Sequence, residues 1–172
     1  LPPGHAKKIP AGHNIYFQVH YTPNGVPQKV QSHMGLVFAD PADVTHEIRT
    51  SSARERRFRI PGGKRLGKKE GPSDFPIQAV SSPLPANATL LAFSPHMHLR
   101  GKSFNYELLA PGSEPRMLLN VPAYDFNWQN TYVLEEPIEL PAGSRLRCKA
   151  VYDNSLSNLS NPNPLVDVYF GE

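Results

Sequence analysis

The sequence predicts an all-β protein, and three observations favour that class. Its 172 residues include 19 prolines and 12 glycines, which divide the chain into short pieces. Within these pieces apolar and polar residues alternate, as they do on half-buried strands, and a helical period is scarce. Turn sequences such as Pro-Gly separate the pieces. Together these observations predict an antiparallel β-sandwich or barrel with little helix.

The first predicted elements form a hairpin-like pair. Residues 15–21 place apolar side chains at every second position, and His20 ends this strand on its less apolar side. Asn24 and Gly25 then supply a turn that tolerates positive φ, and residues 32–39 predict the return strand. The pattern therefore predicts an antiparallel pair that leads into the rest of the chain.

A break in the alternation from Asp40 to Asp43 predicts a domain boundary. We interpret residues 1–41 as the terminal hairpin of a preceding domain and residues 42–172 as the main domain. The main domain contains short strand-like segments whose spacing suits an antiparallel sandwich. The predicted strands cover residues 47–50, 56–60, 75–80, 89–99, 103–109, 116–121, 132–134, 138–140, 145–152 and 166–170.

The segment 89–99 carries the strongest functional pattern, because His96 and His98 are separated by one residue. Alternate side chains of a strand share a face, so both imidazoles are expected opposite the apolar row that includes Met97 and Leu99. Imidazole pairs bind copper, zinc, iron or nickel, and the third ligand decides among these metals. The alternative is an ordinary half-exposed strand in which two surface histidines flank a buried methionine.

Charge and cysteine content narrow the other function classes. The chain carries 18 Lys and Arg against 15 Asp and Glu, and much of the excess lies in residues 54–69. No nucleic-acid-binding motif accompanies this segment, so we interpret it as a charged strand and a solvated loop. The single cysteine, Cys148, shares an apolar face with Leu146 and Ala150, which predicts a buried structural thiol. No apolar run has the length of a transmembrane helix.

Four segments form a specific combination of motifs. They are Phe17-Gln18-Val19-His20-Tyr21, the run Pro95-His96-Met97-His98-Leu99-Arg100-Gly101-Lys102-Ser103-Phe104, Tyr124-Asp125-Phe126-Asn127-Trp128-Gln129, and Tyr152-Asp153-Asn154-Ser155 followed by Asn161-Pro162. This combination resembles the copper type II, ascorbate-dependent monooxygenases, the family of peptidylglycine α-hydroxylating monooxygenase and dopamine β-hydroxylase. The resemblance covers nearly the whole chain, and the order and spacing are most similar to those of bacterial members.

The resemblance implies a jelly-roll-like sandwich, copper as the cofactor and ascorbate as the reductant. Family members have two such sandwiches, each with one copper ion, separated by an open cleft. By resemblance, His96 and His98 are the histidine pair of the oxygen-activating copper, whose third ligand is a methionine. His20 matches one of the three histidines that bind the electron-supplying copper. The other two histidines of that copper, and a methionine in the matching context, are not found in this sequence.

We therefore interpret the chain as the C-terminal copper-binding portion of such a monooxygenase, which would hydroxylate a C–H bond with O₂. The substrate would be a small molecule or a peptide. The chain begins with Leu1, and we expect it to be part of a longer polypeptide with an N-terminal copper domain and to be inactive alone. The family implies a periplasmic or secreted location. The alternatives are a copper-binding or copper-transfer sandwich without catalysis, and a sandwich used only for protein contacts.

Overall fold

The computed structural model describes residues 1–19, 21 and 24–171, and within them the protein is all-β, as predicted. The chain divides into two compact units, Leu1–Ser51 and Ser52–Glu172. The elements in chain order are β1 (His5–Ala6), a 3₁₀ helix (Pro41–Asp43), β2 (His46–Glu47), β3 (Arg59–Ile60), α1 (Gly63–Leu66), β4 (Phe75–Val80), β5 (Ala88–Phe93), β6 (Gly101–Leu109), β7 (Arg116–Val121), β8 (Tyr132–Leu140), β9 (Arg145–Tyr152) and β10 (Val168–Tyr169).

The first unit contains little regular structure in its described residues. Strands β1 and β2 pair in parallel, with His5 directly opposite His46. The 3₁₀ helix begins where the sequence breaks its alternation, because the Asp40 carboxylate accepts a hydrogen bond from the Ala42 N–H at 2.9 Å and caps the turn. The proline at the first helical position suits this start as well.

The hairpin predicted for residues 15–21 and 32–39 is not formed in the described residues, which contain no strand there. Large apolar side chains of this region, such as those of Phe17 and Phe38, are exposed. An isolated two-stranded hairpin is marginally stable in water, so alternation without a covering layer does not specify one. His20 lies outside the described residues. The boundary predicted after Pro41 refers to a preceding copper domain and stays a prediction, and the two units divide later, between Ser51 and Ser52.

The second unit is built from three antiparallel sheets. Strands β4, β9, β6 and β7 form a four-stranded sheet in that order, β5 pairs with β8, and β3 pairs with β10. The two strands predicted at 132–134 and 138–140 are one strand, β8, which continues through Pro137. Its pairing with β5 shifts register between Leu90 and Ala92, an irregularity that accommodates the missing proline N–H. The finer assignment as a jelly roll stays a prediction.

The core of the second unit lies against the four-stranded sheet. Phe104 on β6 is paired with Val121 on one side and with Ala150 on the other, so the three side chains share a face. Cys148 joins this cluster from the same face of β9, as predicted, and Met97 joins it from outside the sheet. Burial raises the pKa of the Cys148 thiol to about 11, which keeps the thiol protonated and unreactive.

Candidate metal centre

His96 and His98 lie side by side on an extended segment between the end of β5 at Phe93 and the start of β6 at Gly101. Their ring centroids are 5.2 Å apart, and the ring planes are inclined by 82°. His96 is exposed and His98 is half-buried. The second unit therefore brings the two imidazoles together at its surface.

The histidines follow a strand rather than lying on one. The sequence predicts a single strand over residues 89–99, whereas β5 ends at Phe93. Pro95 has no N–H to donate to a partner strand, and the Met97 N–H donates to the Tyr124 hydroxyl at 2.9 Å instead. The hydrogen-bond ladder between β5 and β8 therefore cannot continue past Phe93, but the backbone stays extended. The predicted alternation therefore holds as far as the second histidine, with Pro95 and Met97 buried.

The predicted apolar row is wrong at its last position. Leu99 is 39% exposed, whereas Arg100, which strict alternation places on the same outer face as the two histidines, is 7% exposed. The cause is a turn, because the Gly101 N–H donates to the His98 carbonyl at 2.8 Å and reverses the alternation. Only glycine fits at position 101, since a Cβ there would lie 2.7 Å from Cδ1 of Tyr124. The turn directs the Arg100 side chain into the interior.

Gln129 fixes the protonation site of the His96 ring. Its Nε2 donates to the Phe126 carbonyl at 2.8 Å, which leaves its amide oxygen for the imidazole. The Nδ1 atom of His96 lies 2.5 Å from that oxygen. An amide oxygen only accepts hydrogen bonds, so Nδ1 carries the hydrogen and donates it. The neutral ring therefore keeps the Nε2 lone pair for a metal, as metal-ligating histidines do when a neighbouring group holds the other nitrogen.

Tyr124 holds the backbone between the two histidines. Its hydroxyl accepts a hydrogen bond from the Met97 N–H and donates one to the Met97 carbonyl, both at 2.9 Å. Burial raises the pKa of Tyr124, so the hydroxyl stays protonated and keeps its donor. The Met97 side chain is 1% exposed in the core, as predicted. The imidazoles on either side are thus carried by a backbone that is fixed at its midpoint.

A buried hydrogen-bond network fixes the C-terminal end of the same segment. Asn154 is 0% exposed, and its Oδ1 accepts a hydrogen bond from Arg100 Nε at 2.9 Å and one from Asn161 Nδ2 at 3.0 Å. Its Nδ2 is shared between the carbonyls of Pro61 and Val166, each at 3.2 Å. One buried amide therefore ties the segment after the histidines to two connections that are distant from it in sequence, the one that follows β3 and the one between β9 and β10.

A cavity of about 120 Å³ opens beside the two imidazoles. Its polar walls are His96, His98 and Arg100, and the rest of the lining is mainly aromatic and apolar. The other lining residues are Phe58, Met97, Tyr152, Val168, Phe170 and Gly171. Burial raises the pKa of Tyr152 to about 12, so this wall is a neutral phenol. An apolar cavity of about 150 Å³ holds a molecule as large as benzene, so this cavity has room for water, O₂ or a small organic group but not for a whole peptide.

The two histidines are the donors that the second unit offers to a metal at this place. In the described part of the chain, no group of three or more His, Cys, Asp and Glu side chains could hold a metal ion. Further coordination positions would fall to water or to a donor from elsewhere. His20, the predicted ligand of a second copper, lies outside the described residues.

Sequence reasoning missed the residues that position the histidines. The sequence alone favours core anchoring for residues 124–129, and Tyr124 does pack against the core cluster. Gln129, however, contacts His96 directly, and its place in a family-like motif was the only signal for that role. The contact between Arg100 and Asn154 joins residues 54 positions apart, so no local spacing could indicate it.

Comparisons with other proteins give no match. No family model, no curated protein and no solved structure matches the chain. The resemblance to the copper monooxygenases therefore rests on the sequence motifs alone. Among the helices of the described residues, none is long and apolar enough to cross a membrane.

Proposed function

We propose that His96 and His98 bind copper and that the chain is the oxygen-activating portion of an ascorbate-dependent monooxygenase. The observation that carries this proposal is the hydrogen bond from His96 Nδ1 to Gln129, which leaves Nε2 of the neutral ring for a metal. A ring already held in its binding orientation is a more basic and better ordered ligand. If the two histidines were ordinary surface residues, there would be no reason to expect a hydrogen-bond partner that fixes the His96 ring.

Copper suits this donor set better than the other first-row metals. Imidazole nitrogens bind divalent copper most tightly in the order of metal affinities. Copper bound here would supply one-electron redox chemistry with O₂, and ascorbate would be the reductant. The protein's own contribution would be to orient the imidazoles through Gln129 and Tyr124 and to line the space beside the copper with aromatic side chains, among them Phe58 and Phe170.

The proposed overall reaction inserts one oxygen atom of O₂ into a substrate C–H bond. The other oxygen atom leaves as water, with two electrons from ascorbate and two protons. The cavity of about 120 Å³ is too small for a whole peptide, so a small-molecule substrate would enter it, whereas a peptidyl substrate would lie on the exposed side of His96. Such a substrate would meet the copper from solvent.

A second copper site completes the proposal, with His20 as one of its ligands. We propose that the remaining ligands come from an N-terminal copper domain of the same polypeptide. The exposed apolar side chains in the first unit, such as those of Ile15, Phe17 and Phe38, support a covering partner of this kind. A periplasmic or secreted location, implied by the family, belongs to the same proposal.

Electron paramagnetic resonance of bound Cu(II) tests the site at His96 and His98. We expect a Cu(II) signal with coupling to imidazole nitrogens. The affinity of the site that gives this signal should fall roughly tenfold or more in His96→Ala and in His98→Ala. His33→Ala is the matched control, because it removes an exposed histidine of the first unit and should leave this component unchanged. Spectra that stay the same in both site variants would refute the proposal.

A copper-binding or copper-transfer module without catalysis is the second candidate. It is favoured by the finding that only two protein ligands meet at the site in the described residues. Oxygen consumption with ascorbate, peroxide detection and a panel of peptidyl and small aromatic substrates separates the two. We expect this chain alone to convert O₂ to peroxide, with product formed only when a second copper domain is supplied. Copper binding without ascorbate-dependent oxygen consumption would favour the module.

A further inference from the structure

The first unit contains another pair of neighbouring histidines, which are distant in sequence. His5 on β1 is directly opposite His46 on β2 in the parallel pair. Their rings are stacked, with centroids 4.6 Å apart and planes within 10° of each other. Side chains that are opposite in paired strands project from the same face. Both imidazoles therefore extend from one side of the strand pair, with His46 exposed and His5 half-buried.

The His5 ring is held by its own chain. Its Nδ1 atom lies 2.8 Å from the carbonyl oxygen of Pro3. A carbonyl oxygen only accepts hydrogen bonds, so Nδ1 carries the hydrogen and donates it. In the neutral ring the lone pair is then on Nε2, the nitrogen farther from the backbone.

The Nδ1 atom of His46 is held by a side chain. The Thr45 hydroxyl oxygen lies 2.9 Å from Nδ1 and 3.2 Å from the Gly4 carbonyl oxygen, which already accepts the Thr45 and His46 N–H groups at 2.9 Å and 3.0 Å. A hydroxyl group both donates and accepts, so it holds Nδ1 of His46 whether that nitrogen accepts a hydrogen or donates one. Gly4 makes this arrangement possible, since its φ is 72° and a Cβ there would lie 2.6 Å from the Thr45 hydroxyl oxygen.

We propose that His5 and His46 form a binding site for a divalent transition-metal ion, separate from the site at His96 and His98. The Nδ1 atom of each ring has a fixed hydrogen-bond partner, and with the hydrogen on Nδ1 each ring offers Nε2 to a metal, which is the usual arrangement of metal-ligating histidines. His5 and His46 occupy paired positions of parallel strands, so both imidazoles extend from the same side of the strand pair. Among the metals that imidazole binds, Cu(II) is held most tightly, ahead of nickel and zinc.

Metal binding requires the two rings to change from a stacked to an inclined arrangement. A metal–nitrogen bond is about 2.0–2.1 Å long, so the two ligating nitrogens lie at most about 4 Å apart. The stacked centroids are 4.6 Å apart, so the two Nε2 atoms must converge by a tilt of one ring. Stacking therefore gives way to an inclined pair when the metal binds, and water completes the coordination.

A metal at this site would close a loop of the first unit. Strands β1 and β2 contribute only two residues each to the pairing of His5 with His46. A metal that binds the paired form and not the unfolded chain stabilises the paired form by mass action. Proteolysis of residues 7–45 is therefore expected to slow when Cu(II) is added.

The whole chain with His96→Ala and His98→Ala isolates the proposed site. We expect this double variant to retain one Cu(II) with imidazole coupling, measured by calorimetric titration and electron paramagnetic resonance. Adding His5→Gln or His46→Gln should weaken that binding by roughly tenfold or more. His13→Gln, which removes another exposed histidine of the same unit, is the control and should not change it.

Nuclear magnetic resonance of the imidazole nitrogens with Zn(II) supplies a readout that does not depend on affinity. We expect Zn(II) to shift the Nε2 signals of His5 and His46 and to remove their mutual ring-current shifts. Absence of bound Cu(II) in the double variant, or binding that survives both His5→Gln and His46→Gln, would overturn the proposal. This proposal rests on different residues from the proposed function, so the two can fail separately. If wild type and double variant bind the same number of Cu(II) ions, and all of that binding needs His5 and His46, the proposed function is refuted and this proposal stands.

Discussion

His96 and His98 are two positions apart in the chain, whereas His5 and His46 are brought together only by strand pairing. The first pair has inclined rings with centroids 5.2 Å apart, and the second has stacked rings with centroids 4.6 Å apart. In both pairs an acceptor takes the Nδ1 hydrogen of at least one ring. The same donor chemistry is thus reached by two different routes.

The two pairs differ most in the hydrogen bonds that hold the backbone supporting them. The backbone around Met97 is fixed by Tyr124 and, through Arg100, by the fully buried Asn154. The pair in the first unit rests on two short strands, and its hydrogen-bond partners are a local carbonyl and an exposed hydroxyl. We infer that the geometry at His96 and His98 is set before a metal arrives, whereas the other pair adjusts when one binds.

Asn154→Ala is expected to have the largest effect, and it should act on one pair only. The change removes an acceptor of the buried Arg100 guanidinium and a donor to Pro61 and Val166, which should cost about 3–5 kcal/mol. Copper affinity at His96 and His98 should fall as well. Urea denaturation and Cu(II) titration measure the two effects.

The exposed Asn130 offers the control for that experiment, because Asn130→Ala removes an amide from the same unit without a buried network. Copper binding at His5 and His46 should be the same in both variants. Equal stability of Asn154→Ala and Asn130→Ala would show that the buried network does not support the second unit.

Met97→Ala tests whether Met97 is a core residue or a copper ligand. Met97 is packed in the core between two histidines, so its truncation should cost about 3 kcal/mol through the cavity that it leaves. Affinity for Cu(I) should change little. Met117→Ala, at an exposed position on β7, is the control for loss of a thioether. A large loss of Cu(I) affinity in a Met97→Ala protein that is still folded would identify Met97 as a ligand.

Gln129→Leu tests the tautomer that is assigned to His96. Gln129 is exposed, so stability should be nearly unchanged, but copper affinity should fall by about 10-fold to 100-fold because Nδ1 loses its acceptor. Thr45→Val is the matching change at His46 and should reduce only the affinity of the first unit. Copper affinity that is the same in Gln129→Leu and wild type would contradict the role of this hydrogen bond.

Much of the four-stranded sheet could be predicted, because its strands are half-buried and alternate. The predicted ranges 75–80, 116–121 and 145–152 coincide with β4, β7 and β9. Prediction failed where the presence of a neighbouring strand or covering layer, rather than the alternation of apolar residues, decides whether a strand forms. The range 89–99 loses its ladder after Phe93, and the pattern of 15–21 has no layer to cover it in the described residues.

The two histidine pairs show that the sequence reveals a candidate site only where its residues have a regular local spacing. The pair at His96 and His98 is visible in the sequence because an extended backbone turns an i, i+2 spacing into a shared face. His5 and His46 have no such spacing, and the sequence gives no reason to consider them together. The network of Arg100 and Asn154 is equally invisible, since it depends on loops that meet only in the folded chain.

The smallest expected effect concerns a carboxylate in the sheet of the second unit. Glu107 on β6 accepts hydrogen bonds from Lys149 Nζ at 2.8 Å and from Arg147 Nε at 2.5 Å, both on β9. The Lys149 ammonium first, and the Arg147 guanidinium next, hold the pKa of Glu107 below its ordinary value of 4.5. The carboxylate is therefore stabilised in the folded state relative to the unfolded chain.

Because the folded pKa of Glu107 is lowered, its contribution to stability is fully present above the unfolded pKa of 4.5 and is lost as the pH falls through the folded pKa. Glu107→Gln should thus reduce the unfolding free energy of the metal-free protein by about 1 kcal/mol at pH 7. The difference between variant and wild type should shrink steadily as the pH falls below 4.5. Urea denaturation at a series of pH values measures it. A difference that stays constant down to pH values near 3 would mean that Glu107 acts through packing, and that charge contributes nothing to the scaffold behind His96 and His98.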